Sequence, residues 1–168
     1  MEAENKIKSD NYIQLGNDDD ILILKIKDSK GNETGEYLEF NLEDIELPLR
    51  YQEIIEEDKK ARLDLKNQLI IIDKKQDHKG KKLLSSKEEA KIKATRDFYL
   101  REEKIYNMFL GENGVKKLLN GKKLSWSSLD MIDDIIQKQI LPYFETTADS
   151  IKKKIMKKYS DKRDDVIE

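Results

Sequence analysis

Hydrophobic and polar positions change their period twice along this chain. Polar residues dominate positions 1–20, which close on the acidic cluster Asp18, Asp19, Asp20. Such a lead is expected to stay outside the packed domain. Ile21–Lys27 (ILILKIK) is a short apolar run that passes into alternation. Tyr37–Leu42 alternates again, with Leu38, Phe40 and Leu42 on one side and Tyr37, Glu39 and Asn41 on the other. Two such runs about a polar loop, Asp28–Gly35, predict a β-hairpin over 21–42. A lone hairpin is marginal in water, so it must pack on helices or pair with another edge.

After Pro48, a residue suited to a first helical turn, the period becomes 3.6. Tyr51, Ile54/Ile55, Asp58, Arg62, Leu65, Leu69 and Ile72 recur at steps of three and four, predicting a helix over about 48–75. The stripe turns polar at Asp58 and Arg62, where the helix is expected to bend or leave the core. Leu69–Ile72 is rich in β-branched residues and leaves a local strand open as an alternative. Lys74–Lys82 reads as a charged linker. A second helix, 86–110, opens on a Ser86/Glu89 capping box and turns Ala90, Ala94, Phe98, Arg101, Ile105, Met108 and Phe109 inward. Gly111 and Gly114 stop it, and Val115–Leu119 forms a single short turn. A third helix over 128–144 starts near Ser127 or Ser128 and carries Leu129, Ile132, Ile136, Ile140, Tyr143 and Phe144, with Pro142 breaking or kinking its end. The remainder, 146–168, is a basic helix and tail whose only stripe is Ile151, Ile155 and Tyr159. The expected fold class is α+β and mostly α. A flexible polar lead (1–20) precedes one domain (21–145) made of an N-terminal β-hairpin and three to four amphipathic helices.

Composition narrows the chemistry. The 168 residues make about one domain, with 33 Lys and Arg against 35 Asp and Glu, no Cys and a single His. Thiolate catalysis, disulfides and Cys-type zinc sites are excluded, and His-based triads and metal sites have almost no material. Residues 1–46 hold 5 basic and 13 acidic groups, whereas 151–168 hold 7 basic and 4 acidic. That polarity suits head-to-tail contacts between copies or attraction of a charged partner, unless both ends are simply solvated. The Asn17–Asp20 run lacks the spacing of a calcium loop. His78 lies in a lysine-rich linker, Ser85, Ser86, Ser127 and Ser128 read as caps, and Gly111–Gly114 lacks the Lys-Ser/Thr of a phosphate loop. No catalytic, metal or cofactor residue is expected. Trp126, just before a helix start, is either a staple-like core contact or an exposed recognition anchor. Lys152, Lys153, Lys154, Lys157 and Lys158 are a basic cluster without interleaved aromatics, which favours a solvated or partner-facing helix over nucleic acid. No apolar run approaches membrane-spanning length and no apolar segment marks the polar start, so the cytoplasm is the expected location.

Two stretches, Tyr37–Tyr51 (YLEFNLEDIELPLRY) and Ile105–Leu124 (IYNMFLGENGVKKLLNGKKL), carry a resemblance. A strand ending Phe-Asn, an acidic residue and a helix reached through a Tyr are similar to the opening of the tail assembly chaperone family. These proteins belong to long-tailed phages and phage-tail-like particles of Gram-positive bacteria. The Leu-Gly-Glu-Asn-Gly turn, short Lys-Leu-Leu helix and Gly-Lys loop resemble the family's middle, as does the Pro-Tyr-Phe-Glu end of the following helix. The resemblance spans roughly 36–145, while the acidic lead and the Ile21–Lys27 strand look like an extension. It implies a non-enzymatic protein that self-associates, coats the helical tape measure protein and helps recruit tail tube subunits. Neither membrane nor nucleic acid is then a partner. Surfaces expected to carry such contacts are the Ile21 and Ile23 edge and the basic helix at Ile151, Lys152, Lys153, Lys154, Ile155 and Tyr159. The alternatives are a structural adaptor retained in tail or capsid and using the hairpin edge, and a nucleic-acid-binding regulator using Lys152–Lys158.

Overall fold

The computed structural model describes residues 20–144 together with Asp149, Lys152, Lys153, Ile155, Met156 and Lys157. It has an N-terminal antiparallel hairpin followed by helices, the expected mostly-α arrangement. Strand β1 (Ile21–Lys27) pairs with β2 (Glu33–Asn41), with Leu24 opposite Leu38 and Ile21 opposite Asn41. The turn is shorter than the pattern suggested, because β2 begins at Glu33. The Asp28 carboxylate closes it by accepting the N–H groups of Asn32 and Lys30, both at 2.9 Å. Gly35 lies inside β2 at φ +84°, where the ladder slips between Lys25 and Lys27. A residue with a side chain there would resist that irregularity.

Helix α1 (Leu47–Asp73) has Pro in its first turn, and α2 spans Ser86–Leu110. The two run antiparallel, as three cross-links show. Tyr51 packs on Phe109 with ring centroids 5.5 Å apart, Asp64 accepts from Arg101 at 2.7 Å, and Asp73 meets Lys91 at 2.6 Å. Helix α1 neither leaves the core at Asp58/Arg62 nor becomes a strand at Leu69–Ile72. Ala61, Leu65 and Ile72 stay buried, so tertiary packing overrides the β-branched preference. The inward face of α2 also differs from expectation. Met108 is exposed and Arg101 reaches out to Asp64, while Glu102 and Tyr106 point in.

The capping box of α2 is one residue earlier than expected. Ser85 Oγ accepts the Glu88 N–H at 3.2 Å, and Glu88 Oε2 accepts the Ser85 N–H at 2.7 Å. Ser86 instead donates to Asp77 at 3.2 Å and accepts the His78 N–H at 3.0 Å, which ties the linker to the helix start. Gly111, at φ +89°, ends α2. Gly114 does not share that role. It opens the short helix α3 (Gly114–Leu118), against the Leu110 side chain, so closely that a Cβ would collide.

Helix α4 (Trp126–Ile135) is capped by Ser125, which accepts the Ser128 N–H at 3.3 Å, rather than by Ser127. Trp126 is therefore its first residue. The helix continues through a π turn, Ile136–Ile140, and a last helical stretch, 141–144. Pro142 does not break the helix; the π turn lies immediately before it, and widened turns accommodate a missing donor. Leu129, Ile132, Ile136 and Ile140 are wholly buried and form the floor of the core, each worth roughly 1.5–3 kcal/mol of burial. The hairpin docks on this helical layer through Phe40, which lies 5.7 Å from Phe109 and 6.1 Å from Phe144.

Candidate functional site

Two features go beyond ordinary packing: a polar junction inside the three long helices, and a groove on the outer side of α2. At the junction, Asp58 and Arg62 of α1 form an i,i+4 ion pair, Nε to Oδ1 at 2.7 Å. Glu102 of α2 is fully buried and faces Asp58. Burial pushes its carboxyl up to about 8, and the charge of Asp58 adds to the shift, so Glu102 is held as the neutral acid near pH 7. Tyr106, one turn on, donates its hydroxyl to Asp133 Oδ1 of α4 at 2.6 Å. Burial raises Asp133 as well, although the Tyr106 bond pulls the other way. Trp126 closes the cluster. It stacks on Phe98 with centroids 5.0 Å apart, meets Tyr99 edge-on at 5.9 Å and lies 5.5 Å below the Arg62 guanidinium. It is 45% exposed, so it packs over the edge of the core on Phe98 and Tyr99 and is not buried within it. The carboxylates do not converge as metal ligands: among the described residues no group of three or more His, Cys, Asp or Glu could hold an ion. The junction joins three helices by hydrogen bonds and charge.

The groove, about 750 Å³, runs between α2 and the segment made of α3 and the loop after it. Its floor is apolar, built from Ile92, Tyr99 and Leu100 on one wall and Val115, Leu119 and Leu124 on the other. Ile92 and Leu100 are more than half exposed. Lys91, Arg96, Lys116, Lys122 and Lys123 rim it, and Glu103 is its one acidic lining residue. Lys116 reaches Glu103 at 3.7 Å across the mouth, and Lys91 and Arg96 are engaged with Asp73 and Asp97. Lys122 and Lys123 have no carboxylate partner among the described residues.

The sequence-predicted contact residues fall elsewhere. Ile21 and Ile23 are the outward members of β1, both exposed, with Asn41 and Glu39 opposite them. Lys152, Lys153 and Ile155 are helical and exposed, while Ile151, Lys154 and Tyr159 lie outside the described residues. The groove itself escaped the sequence reading. Its signal was a second stripe on α2, Ile92, Thr95, Tyr99 and Leu100, at steps of three, four and one behind the core stripe. The opposite wall is supplied by a loop whose position no periodicity reveals. Among the described residues no helix is long and apolar enough to cross a membrane. Compared with known proteins, the chain matches no family model, no curated protein and no solved structure.

Proposed function

We propose that this protein is a tail assembly chaperone of a long-tailed phage or phage-tail-like particle, acting by contact rather than catalysis. It self-associates, holds the helical tape measure protein in a soluble form and helps recruit tail tube subunits in the bacterial cytoplasm. The observation that carries the reading is the open groove along α2, where exposed Ile92 and Leu100 line an apolar floor rimmed by cationic side chains. Apolar channels of this kind receive one face of an amphipathic helix, which is the chemistry that a long helical client presents. The order of elements across 36–145 supports it further, since the Tyr37–Tyr51 and Ile105–Leu124 stretches that resemble the family form β2, the start of α1, the end of α2, and α3. Co-expression tests the reading: the tape measure protein should become soluble and co-purify with this chain. A client that stays insoluble and uncaptured removes it.

A second reading, a structural adaptor retained in the particle, is favoured by the outward Ile21 and Ile23 on a two-stranded sheet. Exposed strands of this sort accept a further strand from a neighbour. Mass spectrometry of purified particles separates the two, because an adaptor is present at stoichiometric copy number and a chaperone is absent.

A further inference from the structure

We infer that the α2 groove takes an amphipathic α-helix of about three turns whose apolar stripe is bordered by Asp and Glu on the side that meets Lys122 and Lys123. This deepens the chaperone reading and rests on it for the identity of the client, though not for the chemistry of the site. Length comes first. The α2 wall runs from Lys91 to Glu103, which at about 1.5 Å per residue is roughly 18 Å, three turns of a bound helix. The floor then sets the pattern. Ile92, Tyr99 and Leu100 face Val115, Leu119 and Leu124, so an occupant must present apolar side chains at i, i+3 or i+4, and i+7.

Charge sets the borders. Cations stand on both walls, Lys91 and Arg96 along α2 and Lys116, Lys122 and Lys123 opposite. Lys91 and Arg96 are already paired with Asp73 and Asp97, and Glu103 stands on the same wall, so a bound helix meets uncompensated positive charge on the flank that faces Lys122 and Lys123, where acidic residues gain partners that basic ones would repel. Lys122 and Lys123 offer the larger gain, being without a carboxylate partner among the described residues. A nucleic acid strand fits less well. It would seek stacked aromatic platforms, whereas the floor offers one ring, Tyr99, already set against Trp126. That contact supplies a reporter, since Trp126 is the only tryptophan and touches a residue of the floor.

The experiment titrates the full chain with tryptophan-free helical peptides of about 14 residues, one with Leu at positions i, i+3, i+4 and i+7 and Glu flanks, one with Lys flanks, and one with Ser replacing the stripe. Trp126 emission and peptide anisotropy are read together. The Glu-flanked peptide should bind about tenfold more tightly than the Lys-flanked one at low salt, as expected for two or three partly exposed ion pairs, and the Ser peptide should not bind. Leu100→Glu should abolish binding. Lys122→Glu with Lys123→Glu, both on the surface, should erase the preference for acidic flanks and so serves as the second variant if Leu100→Glu unfolds the chain by circular dichroism. No saturable binding, equal affinity for both flanks, or displacement of the acidic peptide by an oligothymidylate would each overturn the inference. Tape measure capture that survives Leu100→Glu in a folded chain would overturn the groove assignment and leave the chaperone reading standing. Peptide binding without client capture would do the reverse.

Discussion

Asp58 and Glu102 set carboxyl against carboxyl between α1 and α2, and the Arg62 guanidinium is bonded to Asp58 rather than to Glu102. Neither Glu102 oxygen has a conventional donor, although both are buried. The arrangement is satisfied when Glu102 keeps its proton and shares it with Asp58.

The junction therefore makes stability depend on pH. The Glu102 carboxyl titrates near 4.5 in an unfolded chain and is raised to about 8 in the fold. Its contribution is complete below the lower value and is lost as pH rises through the upper one, because the unfolded state sheds the proton first. Glu102→Gln, which keeps the shape and cannot ionise, should flatten the profile. At pH near 8 the variant should be the more stable, by several degrees in melting temperature, with the gap closing towards pH 5. Thermal melts across this range check it, and parallel profiles would refute the account.

Tyr106→Phe removes the hydroxyl that links α2 to α4 and leaves Asp133 without that donor. A loss of about 1–3 kcal/mol is expected in the denaturant midpoint, with an unchanged slope. Adding Asp133→Asn should cost less on the Tyr106→Phe background than alone, since the two act through one bond. Independent, additive losses would show that the bond contributes nothing.

Helix α4 and the π turn that continues it owe their place to four wholly buried side chains, so Ile136→Ala should cost about 2–5 kcal/mol. Met131→Ala, on the exposed side of the same helix, should change stability by less than about 1 kcal/mol. Chemical denaturation of the pair measures the contrast, and equal losses would place Ile136 outside the core.

Ile21→Lys with Ile23→Lys alters only the outward face of β1 and should leave the melting temperature nearly unchanged. If copies associate through the hairpin, sedimentation velocity should show the variant shifted towards monomer. Identical distributions for both proteins would exclude this face from self-association.

The hairpin, α1 and α2 were legible because alternation and three-to-four spacing coincide with burial there: Leu38 and Phe40 turn inward, as do Ile54 and Leu65. Where two neighbouring residues compete for one role, pattern alone failed. Ser85 and Ser86 precede Glu88 and Glu89, and both pairings satisfy the capping spacing; only the Asp77 contact, distant in sequence, assigns Ser86 elsewhere. Arg101 and Glu102 compete similarly for the inward position. The polar gap at Asp58 and Arg62 was itself the missing hint, because a charged stretch in one helix needs a polar partner on the helix it packs against. The groove depended on a loop reaching back over α2, and local periodicity holds no record of such long-range placement.

The π turn at 136–140 has one more effect. Buried residues Ile132, Ile136, Ile140 and Phe144 are spaced four apart, and on a regular helix each step of four overshoots a full revolution by about 40°, since a turn takes about 3.6 residues. Over three steps the last side chain would swing far off the seam. The wider turn absorbs that excess and brings Phe144 back beneath Phe40. Removing one residue from this turn would leave α4 itself intact yet change the heading of the segment after it, and the hairpin would lose one of the two rings it rests on. A five-residue detour in one helix thus governs how the strands are seated at the other end of the chain.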